Sequence, residues 1–234
     1  MSADGTTDEQ IKIAEEYDRW LADDSLAGRW MRYWFSPKRT IFLNTPVHKL
    51  PSRLSLGRND RILDIGCGYG GLLIYLHKRI GCQKDMEGID ASPLMTELAR
   101  HEISSRGLED KIKVRQGIGT QLPYSDEAFD AVLSTYVVKH LSDDSLRLML
   151  EEVRRVLKTG GNFCFWEAGP SRIRPFDQFN RKFMSRNVSL VNLRTSDQLR
   201  AMVAETGFRN IEPFAHAPYL YYPILPRVGF LASK

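Results

Sequence analysis

The chain has no apolar stretch approaching the roughly 18 to 20 residues that a membrane-crossing helix needs. Its first ten residues are acidic and polar, unlike the basic-then-apolar start of a signal peptide. Cysteine is scarce: Cys67, Cys82 and Cys164 are an odd set of three in 234 residues, which suits reduced thiols and argues against a disulfide-framed secreted protein. These absences set the expectation of a cytoplasmic protein with no transmembrane span. Internal repeats and low-complexity tracts are missing too, no His/Cys set has metal-ligand spacing, and no Gly-x-Ser-x-Gly elbow occurs. No metal is therefore expected. The net charge of +4 is too small to imply a nucleic-acid partner.

What is present is a 42% hydrophobic share, enough for a substantial core. Charge is unevenly placed. Residues 1–28 carry 2 basic and 8 acidic side chains, 29–61 carry 8 and 1, and 170–194 carry 6 and 1. Strand-like runs at 61–65, 84–90, 111–115, 129–134 and 162–166 alternate with amphipathic segments, which is the pattern of an α/β protein with a parallel sheet. Ser92-Pro93 and Ser142-Asp143-Asp144 read as helix starts. The second of these helices carries apolar residues from Leu146 to Leu157 at offsets of three and four and closes at Gly160-Gly161. The expected organisation is an N-terminal helical cap (1–57), a core (58–169), a second cap (170–194) and a C-terminal completion of the sheet (195–234).

Residues 61–71, Arg-Ile-Leu-Asp-Ile-Gly-Cys-Gly-Tyr-Gly-Gly, join a strand to a helix through a glycine turn. Such a turn lets a ligand approach backbone N–H groups. Gly66, Gly68 and Gly71 satisfy the Gly-x-Gly-x-x-Gly spacing of dinucleotide binders. Asp64 opposes that reading, because its carboxylate at the strand's end would repel a diphosphate and attract a cationic group. Asp90, 19 residues after Gly71, stands where a second strand end carries a carboxylate onto ribose hydroxyls.

These motifs resemble class I S-adenosylmethionine (SAM)-dependent methyltransferases, in particular the ubiquinone/menaquinone-biosynthesis type of small-molecule methyltransferase. The resemblance implies a Rossmann-like, doubly wound sheet of seven strands, the last antiparallel, with helical cap elements; that last strand is placed in the C-terminal segment, with 209–214 and 228–232 as candidates. It implies SAM as cofactor and S-adenosylhomocysteine as product. Asp64, Gly66, Cys67 and Gly68 inherit contacts to the methionine moiety; Asp90 and Ala91 match the ribose-binding strand end. In Gln116-Gly-Ile-Gly-Thr-Gln-Leu-Pro-Tyr124, Ile118 replaces the family's usual aspartate, leaving Ile118 and Gly119 as adenine contacts. Ser134 and, from the cap, Tyr17 complete the expected cofactor set. In the fourth-strand motif Lys139 replaces the first of two histidines.

Methyl transfer needs a base only if the acceptor atom must lose a proton early. His140 is the first candidate, although a hydrogen-bonded helix-start histidine is the plainer reading; Glu167 is the second, and Tyr136 orients substrate. Cys67 reads as a small loop residue. Aromatics interleaved with arginines in the first cap, Trp34 among them, together with Arg172, Arg174, His216 and Tyr222, suit a small acceptor that is partly apolar and carries an anionic group. Solvated cap surfaces account for the same charges. The segment 219–226 reads as a substrate-side wall, or as a loop in peripheral contact with a membrane. The competing functions are a catalytically inactive methyltransferase-like binding subunit and a nucleotide-cofactor oxidoreductase. A monomer or homodimer is expected.

Overall fold

In the computed structural model, which describes residues 3–26, 28, 29, 33, 45–214 and 226–234, the alternation along the strands separates two apolar cores. The strands are β1 (Ile62–Ile65), β2 (Met86–Asp90), β3 (Ile112–Gln116), β4 (Phe129–Thr135), β5 (Leu157–Ala168), β6 (Arg209–Pro213) and β7 (Arg227–Ser233). They form one sheet in the order β3-β2-β1-β4-β5-β7-β6. The inner strands run parallel and β7 runs antiparallel to both its neighbours, as expected for this fold. Successive side chains of a strand point to opposite faces. Phe163 and Phe165 therefore enter one core, and Cys164 and Trp166 the other.

Seven helices occur among the described residues: α1 (Ala3–Ala22), α2 (Leu50–Arg53), α3 (Gly71–Ile80), α4 (Pro93–Ser104), α5 (Asp143–Val156), α6 (Arg174–Met184) and α7 (Ser196–Glu205). Their starts obey local chemistry. The Ser92 hydroxyl accepts from Met95 N at 2.8 Å ahead of Pro93, and the Ser142 hydroxyl accepts from Ser145 N at 3.2 Å. Each such cap stabilises its helix by about 1 kcal/mol. α5 buries Leu146, Met149, Leu150 and Val153 against β4 and β5, and each side chain contributes about 1.5–3 kcal/mol.

One boundary differs from the sequence reading. Leu157 is already extended (φ −72°, ψ 137°) and opens β5, so the helix stops at Val156. Gly160-Gly161 is not the turn before the strand but part of it. The pairing of β5 with β4 shifts register between Phe129↔Leu157 and Ala131↔Asn162, and Gly160 (φ +78°) accommodates the bulge. No helix of the described residues is long and apolar enough to cross a membrane.

Candidate active site

The parallel strands β1, β2, β4 and β5 end at one edge of the sheet, and the loops that follow them form a mouth. On one side, β1 delivers Asp64. Its side chain is 1% exposed, and Oδ1 has no hydrogen-bond partner. Burial, reinforced by Asp90, pushes the Asp64 carboxyl well above the usual carboxylate range. The glycine turn after it is held by Gly66 N and Cys67 N, which donate to Ile89 O at 2.7 and 3.1 Å. Gly66 has φ +71°, and a Cβ there would lie 2.1 Å from Val137 Cγ2. At Gly68 (φ +50°) a Cβ would meet nothing within 4 Å, so the bare backbone of the turn borders open space.

Asp90 closes β2. Its Oδ2 accepts from Gly68 N at 2.8 Å and its Oδ1 from Ser92 N at 3.0 Å. Each carboxylate oxygen keeps a lone pair for a further donor, as a ribose diol requires. Burial raises this carboxyl too, while the two N–H bonds oppose the shift. Ser134, at the end of β4 and paired with Ile65, is 1% exposed, and its hydroxyl is likewise without a partner. A buried and a half-buried carboxylate, an orphaned carboxylate oxygen and an orphaned hydroxyl next to a glycine turn fit a cationic amino-acid headgroup carried on a ribose. Cys67 is buried, and burial with the neighbouring carboxylates raises its thiol well above normal, which leaves it inert.

The other side of the mouth is built differently. Beyond β4, Tyr136 adopts φ +61°, a strained conformation for a non-glycine residue. Its carbonyl accepts from the buried Lys139 ammonium. Lys139 also lies 3.3 Å from Glu167 Oε1 at the end of β5. Glu167 accepts from Lys139 N at 3.2 Å and from Ala168 N at 2.6 Å, so its carboxylate is engaged in holding the lysine and the turn. Burial lowers the Lys139 ammonium, opposed by Glu167. His140 Nδ1 donates to Leu190 O at 2.9 Å, which leaves Nε2 as the acceptor for the Tyr17 hydroxyl at 2.8 Å. Burial and Lys139 hold His140 well below the ordinary histidine range, so it is neutral. Tyr17 is pushed up by burial and by the Glu167 and Asp90 carboxylates and keeps its proton.

Tyr17 reaches His140 because α1 lies across the mouth. Gln10 donates to Thr120 Oγ1 at 2.7 Å and accepts from Gly119 N at 3.1 Å. The Glu9 carboxylate accepts from Ser142 N at 2.9 Å, Glu16 accepts from Ser189 N at 2.6 Å, and Asp18 accepts from the Ser92 hydroxyl. The Gly119 N–H, read from the sequence as an adenine contact, is thus occupied by Gln10. Ile118 and Ala91 are half-buried. Gln10, Asp18 and Glu9 were not anticipated. The available signal was that the inward face of α1, with Thr6 and Gln10 beside Ile13, Ala14 and Leu21, is not wholly apolar. From outside, Arg194 donates to Val138 O at 2.8 Å and Leu141 O at 2.7 Å and so clamps the turn that carries His140.

The structure brings together Tyr17, Asp64, Gly66, Cys67, Gly68, Asp90, Ser134, Tyr136, His140 and Glu167. Arg172 and Arg174 stand exposed at the start of α6. Trp34, His216 and Tyr222, with nearly all of the 219–226 segment, lie outside the described residues. Among the described residues no cluster of His, Cys, Asp and Glu could hold a metal.

A family described as a methyltransferase domain matches residues 62–161. The demethylmenaquinone methyltransferase of Lactobacillus johnsonii is 28% identical over 182 residues, covering 70% of this chain and 73% of that protein. That of Symbiobacterium thermophilum is 31% identical over 170 residues, and the match spans 73% of this chain but only 60% of the relative. Among solved structures, the geranyl diphosphate C-methyltransferase of Streptomyces coelicolor, in complex with Mg2+, geranyl diphosphate and S-adenosylhomocysteine, superposes with a TM-score of 0.70 at 17% identity over 97% of each chain. At that identity the likeness is one of fold.

Proposed function

We propose that this chain, which belongs to the class I SAM-dependent methyltransferases, moves the cofactor's methyl group onto a small, partly hydrophobic acceptor bearing an anionic group. The observation that carries the reading is Asp64 Oδ1, buried and without a hydrogen-bond partner, on a carboxylate that lies near Asp90 and has no ion pair with a cation among the described residues. Two carboxylates so placed repel one another until a cation joins them. Asp64 and the Gly66–Gly68 backbone would hold the methionine part of SAM, and Asp90 the ribose. When bound, SAM supplies an electrophilic methyl on a positively charged sulfur, so no metal or protein nucleophile is required.

What remains for the chain is to position the acceptor, exclude water and handle a proton. α1, bridging the loops after β2, β3 and β4, excludes water from the mouth. The Tyr17 hydroxyl and the Tyr136 ring, beside the Lys139–Glu167 pair, make the acceptor side aromatic and locally polar without net charge. For an acceptor that arrives as a hydroxyl, Tyr17 Oη takes its proton while passing its own to His140 Nε2, and His140 Nδ1–H remains on Leu190 O. His140 then acts as a base through Tyr17 and does not touch the acceptor itself.

The demethylmenaquinone methyltransferases named above act on a quinone with an apolar chain, which supports the partly hydrophobic character of the acceptor. Incubation with methyl-labelled SAM and a panel of reduced prenylated quinones, isoprenoid diphosphates, aromatic acids and small amines is the test. Label is expected in the first three classes. Transfer confined to small hydrophilic amines would overturn the acceptor reading and leave methyl transfer intact.

A further inference from the structure

Large apolar side chains are seldom left in water in a row. Among the described residues seven large hydrophobic side chains are strongly exposed, and four of them lie on α6 and the residue before it: Ile173 (54%), Phe176 (38%), Phe179 (55%) and Phe183 (46%). Phe176, Phe179 and Phe183 recur at offsets of three and four and so share one helical face. Phe179 and Phe183 stack with centroids 6.1 Å apart and planes 15° from parallel, forming a continuous aromatic ridge. The helix meets the protein through a different face, where Asn180 is buried and Asp177 and Met184 are half-buried. Ile173, Phe176 and Phe179 therefore lie off the face by which α6 meets the described residues.

The exposed charges of α6 and its flanking residues are basic, while the acidic α1 meets the same segment further along, at Ser189. Residues 170–194 carry six basic side chains, and their single acid, Asp177, is turned inward, where it accepts from Ser171 N at 3.0 Å and pairs with Arg181 at 2.8 Å. Arg172, Arg174, Lys182 and Arg186 are all exposed on α6 or within two residues of its ends. A short helix with aromatic residues on one face and Lys/Arg on the adjoining face, and low overall hydrophobicity, lies in the plane of a lipid interface rather than across it. Like-signed basic residues at its edge select an anionic surface. A second copy of the chain would set these cations against one another, whereas an anionic bilayer complements them.

We infer that α6, through Ile173, Phe176, Phe179 and Phe183 and the basic flank of Arg172, Arg174, Lys182 and Arg186, docks the protein on anionic lipid bilayers. Docking is independent of methyl transfer and proceeds with the cofactor cleft empty. It gives Arg172 and Arg174 a role outside substrate binding.

The test is co-sedimentation of the full chain with vesicles of phosphatidylcholine alone and of phosphatidylcholine containing about one third phosphatidylglycerol. Binding to the anionic vesicles is expected to exceed binding to the neutral ones by roughly tenfold or more and to weaken with added salt. The double substitution Phe176→Ser/Phe179→Ser and the pair Lys182→Glu/Arg186→Glu should each reduce it by roughly tenfold. Hydrogen exchange on the unsubstituted protein gives a readout that needs no variant: anionic vesicles should slow exchange across residues 172–186. Equal binding to both vesicle types, no binding, or protection confined to other segments would overturn the inference. So would a concentration-dependent dimer that the serine substitutions abolish while vesicles leave the protein in solution, because the ridge would then be a self-interface.

Discussion

The two halves of the mouth carry similar numbers of buried ionisable groups and treat them in opposite ways. At the ends of β1 and β2, Asp64 and Asp90 stand together with no ion pair to a cation among the described residues, and Asp64 Oδ1 is unpartnered. At the ends of β4 and β5, Glu167 is satisfied by two N–H groups and by Lys139, while His140 is satisfied at both nitrogens. A buried charge costs several kcal/mol unless it is paired. The first half is therefore incomplete without a positively charged ligand, and the second is complete in itself and offers a preset surface. A cofactor common to a whole family and an acceptor that varies within it would leave this asymmetry.

Breaking the self-compensated half should have the largest effect. Lys139→Met leaves Glu167 buried without its cation and is expected to cost about 3–5 kcal/mol in denaturant unfolding, while the double variant Lys139→Met/Glu167→Leu should recover most of it. A double variant no more stable than the single one would mean that the pair is not the unit. The cofactor half should respond in the opposite sense. Asp64→Asn is expected to weaken S-adenosylhomocysteine binding by roughly a hundredfold, with no loss of thermal stability in the cofactor-free protein, because a destabilised carboxylate has been removed.

Where the halves meet, Tyr17→Phe removes the hydroxyl between α1 and His140. It should lower kcat by about tenfold to a hundredfold for a hydroxyl acceptor, at a stability cost of about 1 kcal/mol. An unchanged kcat, with only the stability lost, would reduce Tyr17 to a strut.

The smallest effect is one of pH. The folded state holds His140 neutral to lower pH than the unfolded chain does, so the unfolded chain binds more protons in that window. Stability from this site is therefore fully present above about pH 6.5 and declines as pH falls toward the lowered value. His140→Gln should flatten that acid limb of the melting temperature.

The sequence announced the strand ends and the helix caps because their signals are local: a glycine turn fixes where β1 stops, and Ser92-Pro93 and Ser142 fix where α4 and α5 begin. Asp64 and Asp90 were legible for the same reason, each being the last acid of an apolar run. The start of β5 was misplaced because Gly160-Gly161 has the composition of a turn whether it joins two elements or bulges one. The acceptor half was only partly legible. His140, Tyr136 and Glu167 could be singled out, and Lys139 was conspicuous as a departure from the motif. Its partner is set by the turn after β4 lying beside the end of β5, which no local pattern encodes. Gln10 and Glu9 meet residues more than a hundred positions away, so their roles emerge only once α1 is laid across the mouth.

The central claim is that Asp64 waits for a cation. Burial and Asp90 make the free protein hold a proton at Asp64 to higher pH than usual, and a bound ammonium favours the ionised form, so binding must release that proton. Calorimetric titration of S-adenosylhomocysteine into cofactor-stripped protein at mildly acidic pH, in two buffers of different ionisation heat, measures this directly. The account predicts net proton release, a Kd that tightens as pH rises, and a much smaller release with Asp64→Asn. Tight binding with no proton release, unchanged in Asp64→Asn, would contradict it.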